Sequence, residues 1–160
     1  MPTFEFNYDE LPGDQALSTQ YHQLLSAARQ VTENAYAPYS NFRVGCAVLL
    51  KNGETVAGVN IENASYPVGI CAERSALSSA LTQYPDETIL AIAISYRSPE
   101  GENNKAAFPC GMCRQFISEC EHKNRQAIPL ILGAQQGKVF IIQTVQHLLP
   151  FSFGKDDLII

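Results

Sequence analysis

The sequence predicts an α/β fold: a three-layer α/β/α arrangement with helices on both faces of a mixed five-stranded sheet. Three observations predict it. Helical and strand-like patterns alternate along the chain in the order helix, two strands, helix, strand, helix, two strands, short helix. Asn52-Gly53 separates two β-prone runs, the strongest short-range sign of a hairpin. Residues 89–95 form an apolar run of strand length, the pattern of a strand covered on both faces.

Residues 1–14, with Pro2, Pro12 and Gly13, read as an N-terminal arm, and residues 15–160 as one domain. Phe4, Phe6 and Tyr8 alternate within the arm, which suits a short strand. Over 15–36, Leu17, Tyr21, Leu24, Leu25, Ala28, Val31 and Ala35 recur at three- and four-residue intervals, predicting an amphipathic helix that Pro38 closes off. The loop Ala37-Pro38-Tyr39-Ser40-Asn41 leads into the hairpin, with antiparallel strands at 43–51 and 54–60. Residues 60–67 are polar and irregular. Good helix formers then run from 71 to about 81, placing Cys71 at a helix N-terminus.

A polar loop over 97–108 follows the 89–95 strand. The next helix, 110–120, has Pro109 at its start, where proline costs least. Residues 128–132 and 139–142 read as two more strands around Gln136-Gly137. Thr144 caps a short helix containing Val145, Leu148 and Leu149, and the tail from Pro150 to Ile160 ends the chain.

Bulk properties narrow the function classes. The net charge is −5, with 11 Lys+Arg against 16 Asp+Glu and no basic run, so a long polynucleotide is a poor partner. No apolar stretch reaches the ~20 residues of a membrane helix. The N-terminus lacks a basic start followed by an apolar run, so no secretory signal is expected and the localisation reads as cytoplasmic. Five cysteines are an odd count and few for a disulfide scaffold; in a cytosolic setting they point to metal binding or catalysis.

The cysteines and one carboxylate carry the chemistry. The chain contains Cys71-Ala72-Glu73-Arg74 and, later, Pro109-Cys110-Gly111-Met112-Cys113. Structural zinc is closed by four protein ligands, whereas catalytic zinc takes three and keeps one position open. Three thiols fit the second description, and C-x-E…P-C-x-x-C is a zinc-deaminase pattern. Cys110 and Cys113, three apart on a first helical turn, point the same way. Alone they would better suit a redox pair or half of a structural zinc knuckle; Cys71-x-Glu73 tips the balance. Two helix N-termini converging on one point would stabilise thiolates.

Three thiolates leave Zn²⁺ with a net charge of −1, which weakens it as a Lewis acid. Arg74 is placed to offset that by donating to a thiolate, although it also reads as a surface arginine. Glu73, on the same helical turn as Cys71, can take a proton from zinc-activated water and pass it on; such groups contribute about 10²–10⁴-fold.

With these blocks in order, the chain resembles the small, homotetrameric class of cytidine deaminase. The similarity spans about residues 20–158. It rests on Ala37-Pro38-Tyr39-Ser40-x-Phe42-x-Val44-Gly45, Asn60-Ile61-Glu62-Asn63-Ala64-Ser65-Tyr66, Cys71-Ala72-Glu73-Arg74, Pro109-Cys110-Gly111-x-Cys113-Arg114-Gln115 and Leu148-Leu149-Pro150. The resemblance implies hydrolytic deamination of cytidine and deoxycytidine with release of ammonia, within pyrimidine salvage. It implies zinc bound by Cys71, Cys110 and Cys113, with Glu73 as proton shuttle. Asn60 and Glu62 would hydrogen-bond the ribose, or else serve to form a turn. Phe42 would pack near the pyrimidine, and the backbone at Ala72 would contact its amide edge. Phe153 matches an aromatic lent to a neighbouring subunit's site, a role Phe151 could fill instead; either aromatic can also be ordinary packing.

The chain departs from the family at Cys46, where alanine is usual and a buried small residue is expected. It departs again at Phe108, where serine is common and the wall beside the amine would change. Cys120 reads as core. Competing readings are a deaminase of the same fold acting on an aminopyrimidine antibiotic, against which the Asn60-x-Glu62 pair argues, a structural zinc or redox module indifferent to Glu73, and a polynucleotide-editing deaminase, which would want basic and aromatic surface.

Overall fold

A computed structural model describes residues 1–99 and 103–158. Residues 100–102 of the expected polar loop, and the last two of the tail, lie outside them. The strands are Asp9–Leu11 (β1), Arg43–Leu50 (β2), Thr55–Val59 (β3), Ile89–Arg97 (β4), Leu130–Gly133 (β5) and Val139–Ile142 (β6). The helices are Thr19–Val31 (α1), Ala72–Gln83 (α2) and Gly111–Asn124 (α3).

The strands form one sheet in the order β1-β6-β5-β4-β2-β3. β4 and β5 run parallel, connected through α3, and every other neighbouring pair is antiparallel. The sheet is therefore mixed, with helices on both faces, as expected. It has six strands rather than five. The sixth, β1, lies in the arm and pairs Asp9, Glu10 and Leu11 with Ile141, Phe140 and Val139. Asp-Glu-Leu has neither β propensity nor alternation; the open edge of β6 supplies the partner that makes it a strand. The neighbouring Phe4, Phe6 and Tyr8, whose alternation suits a short strand or a loosely docked arm, lie outside the strands and form a row of tilted ring contacts.

Alternation along the central strands sends side chains into two cores. Cys46, Val48 and Leu50 of β2 join Ile92, Ile94, Leu130, Leu132 and Ile142 beneath Ala76, Leu77 and Ala80 of α2 and Ile117 of α3. On the other face Ala47, Leu49, Ala91, Ala93, Ile131 and Val139 receive Leu24, Leu25 and Ala28 of α1. Each fully buried Leu or Ile contributes about 1.5–3 kcal/mol. The larger residues face α2 and α3, and the alanines let α1 approach closely.

The hairpin turns at Asn52-Gly53, where Gly53 takes φ +90° and its N–H donates to the Leu50 carbonyl at 3.0 Å. Gly58 on β3 lets α2 settle against the sheet, because a Cβ there would stand 2.3 Å from the Ala76 nitrogen. α1 begins at Ser18, whose hydroxyl accepts from the Tyr21 N–H, and ends in a 3₁₀ turn, Thr32–Asn34. The expected short helix after Thr144 is a single 3₁₀ turn, Val145–His147, capped by the Thr144 hydroxyl. The buried Glu121 carboxylate accepts from Ile128 N–H (2.9 Å), Val145 N–H (3.0 Å) and the Thr144 hydroxyl (2.8 Å), pinning this turn to α3. Among the described residues, no helix is long and apolar enough to cross a membrane.

Candidate active site

α2 and α3 lie on the same face of the sheet, and each starts at a cysteine. Cys71 is the N-cap of α2 and Cys110 the N-cap of α3, both in extended conformation and neither making a side-chain cap. Their thiols are thus free to face each other, with Sγ atoms 3.9 Å apart. Cys113, one turn into α3, brings its Sγ to 3.6 Å from that of Cys110. All three sulfurs fall within 4.8 Å of one another. In tetrahedral zinc–thiolate coordination, with bonds of about 2.3 Å, sulfurs stand roughly 3.8 Å apart. The observed spacing matches, so the donor set fits zinc in both chemistry and size. Cys113 is buried and Cys110 exposed, so the cluster sits where core meets surface.

Two positive helix ends point at these sulfurs. The Cys71 thiol is lowered to about 5, chiefly by a hydrogen bond from Cys113 and further by Arg74 and Cys110, against the opposing effect of burial. Cys113 is raised because it donates that bond and is itself desolvated. Arg74 is half-buried beside these sulfurs. Burial disfavours its charge, but the Cys71 and Cys113 thiols beside it hold it protonated above the ordinary arginine value. Its Nη2 donates to the Gly69 carbonyl at 3.3 Å, and its buried Nε has no hydrogen-bond partner among the described residues.

Glu73, in the first turn of α2, is only 5% exposed. Burial raises its carboxyl above the usual range, and the Cys71 charge adds to the effect. It lines a cleft of about 660 Å³ that also includes Cys71, Cys110, Ala72, Phe42, Asn60 and Glu62. Nine of the ten residues singled out from sequence as ligands, shuttle, substrate contacts or support thus lie in or beside one cleft. The exception is Phe153, which is 59% exposed and does not line it.

Asn60 and Glu62 line the cleft while also building its rim. The Asn60 amide accepts from Val44 N–H (2.7 Å) and donates to the Phe42 carbonyl (2.9 Å). Glu62 accepts from Tyr39 N–H (2.9 Å), Ser40 N–H (3.3 Å) and the Ser40 hydroxyl. The Phe42 ring stacks on Tyr96 with centroids 4.7 Å apart. Both aromatics at the tail are exposed; Phe151 adopts φ +61°, whereas the Phe153 carbonyl accepts from Gln115 Nε2 at 2.8 Å.

Sequence reasoning missed two supports. Arg114 donates from Nε to the Pro109 carbonyl and from Nη1 to the Leu148 carbonyl, each at 2.8 Å, fixing the approach to Cys110. Gln115 ties the tail to α3 as described. Their signal was their place directly after Cys113, one turn beyond Cys110. Cys46 and Cys120 are buried in the core, as expected.

The profile of the family described as "Cytidine and deoxycytidylate deaminase zinc-binding region" matches residues 18–127, more than half of the chain. The chain belongs to this family. A cytidine deaminase of Halalkalibacterium halodurans is 40% identical over 84% of this chain and 95% of its own length. One of Mycoplasma pneumoniae is 44% identical over 78% of this chain and 87% of its own. The crystal structure of cytidine deaminase from Burkholderia pseudomallei superposes with a TM-score of 0.72 at 38% identity, covering 82% of this chain and 98% of that one. The matched region holds all three cysteines of the cluster, consistent with the family's zinc-binding description.

Proposed function

We propose that the chain catalyses hydrolytic deamination of cytidine and deoxycytidine to uridine and deoxyuridine, releasing ammonia. The observation that carries this reading is the three-sulfur cluster at zinc spacing beside a buried carboxylate, both opening on a cleft of about 660 Å³. Cys71, Cys110 and Cys113 would hold the zinc, whose contribution when bound is a Lewis acid at which water ionises near neutral pH.

The protein's own groups do the rest. Water oxygen adds to C4 of the pyrimidine and the C4–N4 bond breaks. Glu73 takes one proton from that water and delivers it to N3, then takes the second from the oxygen now on C4, which becomes the carbonyl, and gives it to the departing amine; its buried setting and raised carboxyl suit a group that must hold a proton as well as accept one. Arg74 balances the thiolate charge from behind. Phe42 packs against the pyrimidine and the Ala72 backbone meets its amide edge. Asn60 and Glu62 receive the ribose hydroxyls with the lone pairs and N–H left over from their rim contacts.

Phe153 is exposed, tethered by Gln115 and absent from its own cleft, which supports its service in a neighbouring subunit's site. That role requires an oligomer, and the resemblance to the small class of the family makes it a homotetramer. Residues 15–160 form the deaminase domain, with 1–14 as its arm, and a cytoplasmic place in pyrimidine salvage fits the reaction.

The test is conversion of cytidine to uridine followed by ultraviolet absorbance, with wild type and Glu73→Ala side by side and metal content measured for both. Turnover by the wild type, and loss of about 10²–10⁴-fold in a variant that keeps one zinc per chain, is the expected result. A zinc-loaded wild type that leaves both nucleosides intact overturns the reading.

A further inference from the structure

A connected series of aromatic rings runs from the N-terminal arm to the wall of the cleft. Tyr8 meets Phe140 of β6 with ring centroids 6.0 Å apart, and Phe140 meets Phe108 at 5.5 Å with the planes inclined by 59°. These are favourable tilted geometries for aromatic pairs. The base of the series is anchored: Phe140 packs on the main core and sits opposite Glu10 in the β1–β6 pairing, and Glu10 forms an ion pair with Lys138. Farther out on the arm, Phe6 stacks on His147 at 5.2 Å.

Phe108 lines the cleft two residues before Cys110, whose sulfur belongs to the cluster. The carbon that reacts must lie by that cluster and Glu73. Phe108 shares this cleft with Cys71, Cys110 and Glu73, so its ring is part of the wall that the 4-amino nitrogen and C5 of a bound pyrimidine would meet. Phe108 is 47% exposed, so its restraint comes from the contact with Phe140, which packs on the core.

We propose that Phe108, braced by Phe140 and by Tyr8 of the arm, limits the size of substituents accepted at the 4-amino nitrogen and C5 of the pyrimidine. The arm thereby acts on selectivity without lining the cleft itself. This inference rests on the function proposed above.

The experiment compares kcat/KM for cytidine, N4-methylcytidine, 5-methylcytidine and deoxycytidine in the full-length wild type, Phe108→Ala, Phe108→Leu, Phe140→Leu and Tyr8→Ala. In Phe108→Ala the preference for at least one methylated substrate relative to cytidine rises about tenfold, the scale of one methyl group in a fitted pocket. Phe108→Leu gives a smaller rise. Tyr8→Ala and Phe140→Leu raise the same ratio by roughly two- to threefold. The deoxycytidine-to-cytidine ratio stays constant throughout, which separates loss of the wall from general loosening. If neither methylated ratio moves in Phe108→Ala or Phe108→Leu while the wild type turns over cytidine, this inference fails alone. If only the Phe108 variants move it, the bracing by Phe140 and Tyr8 is overturned. A wild type inactive on all four substrates overturns the underlying function instead.

Discussion

The Sγ atoms of Cys71 and Cys110, 39 positions apart in the chain, stand 3.9 Å apart because each residue caps a helix on the same face of the sheet. Nothing else in the local structure requires cysteine at these caps. Ser, Thr, Asp or Asn would satisfy the helix ends better, and neither thiol caps its own helix. The fold thus gives up two ordinary caps to assemble a sulfur cluster.

Two buried thiols on α3 should therefore respond in opposite ways. Cys113→Ser removes a donor from the cluster, and zinc per chain should fall well below one. Activity should drop by more than the roughly 10–100-fold typical of an outer partner. Cys120→Ala sits in the core, away from the cluster. It should cost about 1 kcal/mol of stability, comparable to deleting a methyl group, with zinc and turnover retained. Metal analysis and thermal unfolding of the two variants check this.

Glu62 holds the rim segment Tyr39–Ser40 through three hydrogen bonds as well as facing the cleft. Glu62→Ala should raise KM for cytidine about tenfold or more, since rim and ribose contact are lost together, while zinc content stays unchanged. The bond from Ser40, then that from Tyr39, lowers its carboxyl below the ordinary value of 4.5. A lowered acid holds its partners above its unfolded value and releases them as pH falls through the folded one. The KM advantage of wild type over Glu62→Ala should accordingly be constant from neutrality down to about 4.5 and shrink only below it. Steady-state kinetics at several pH values, with enzyme integrity checked at each, measure this.

Much of this architecture was legible in the sequence. The hairpin came from Asn52-Gly53, the two-faced burial of β4 from its apolar run, and the cluster from C-x-E and P-C-x-x-C. What escaped depends on partners distant in sequence. β1 carries no strand signal of its own and forms because β6 has a free edge. The turn at Val145–His147 is held by Glu121, 24 positions before Val145 in the chain. Phe108 was visible only as a departure from a family pattern; the two rings behind it come from the arm and from β6. Local periodicity cannot report contacts of that range.

The position of α2 depends on one missing side chain. At Gly58 a Cβ would lie 2.3 Å from the Ala76 nitrogen and 2.7 Å from its Cα, both backbone atoms that cannot swing aside. Gly58→Ala must push α2 off β3, an overpacking that costs about 1–3 kcal/mol. For a domain of this size that corresponds to a fall in melting temperature of roughly 2–10 °C. Because Cys71 starts α2 and Cys110 starts α3, the same displacement should pull the sulfurs apart and speed loss of zinc to a chelator. Gly111→Ala supplies the contrast. A Cβ at Gly111 meets nothing within 4 Å, and alanine favours a helix over glycine by up to about 1 kcal/mol. Its melting temperature should hold or rise. Equal zinc retention by Gly58→Ala and wild type would mean that the cluster tolerates movement of α2, and that the packing of β3 against Ala76 does not set its geometry.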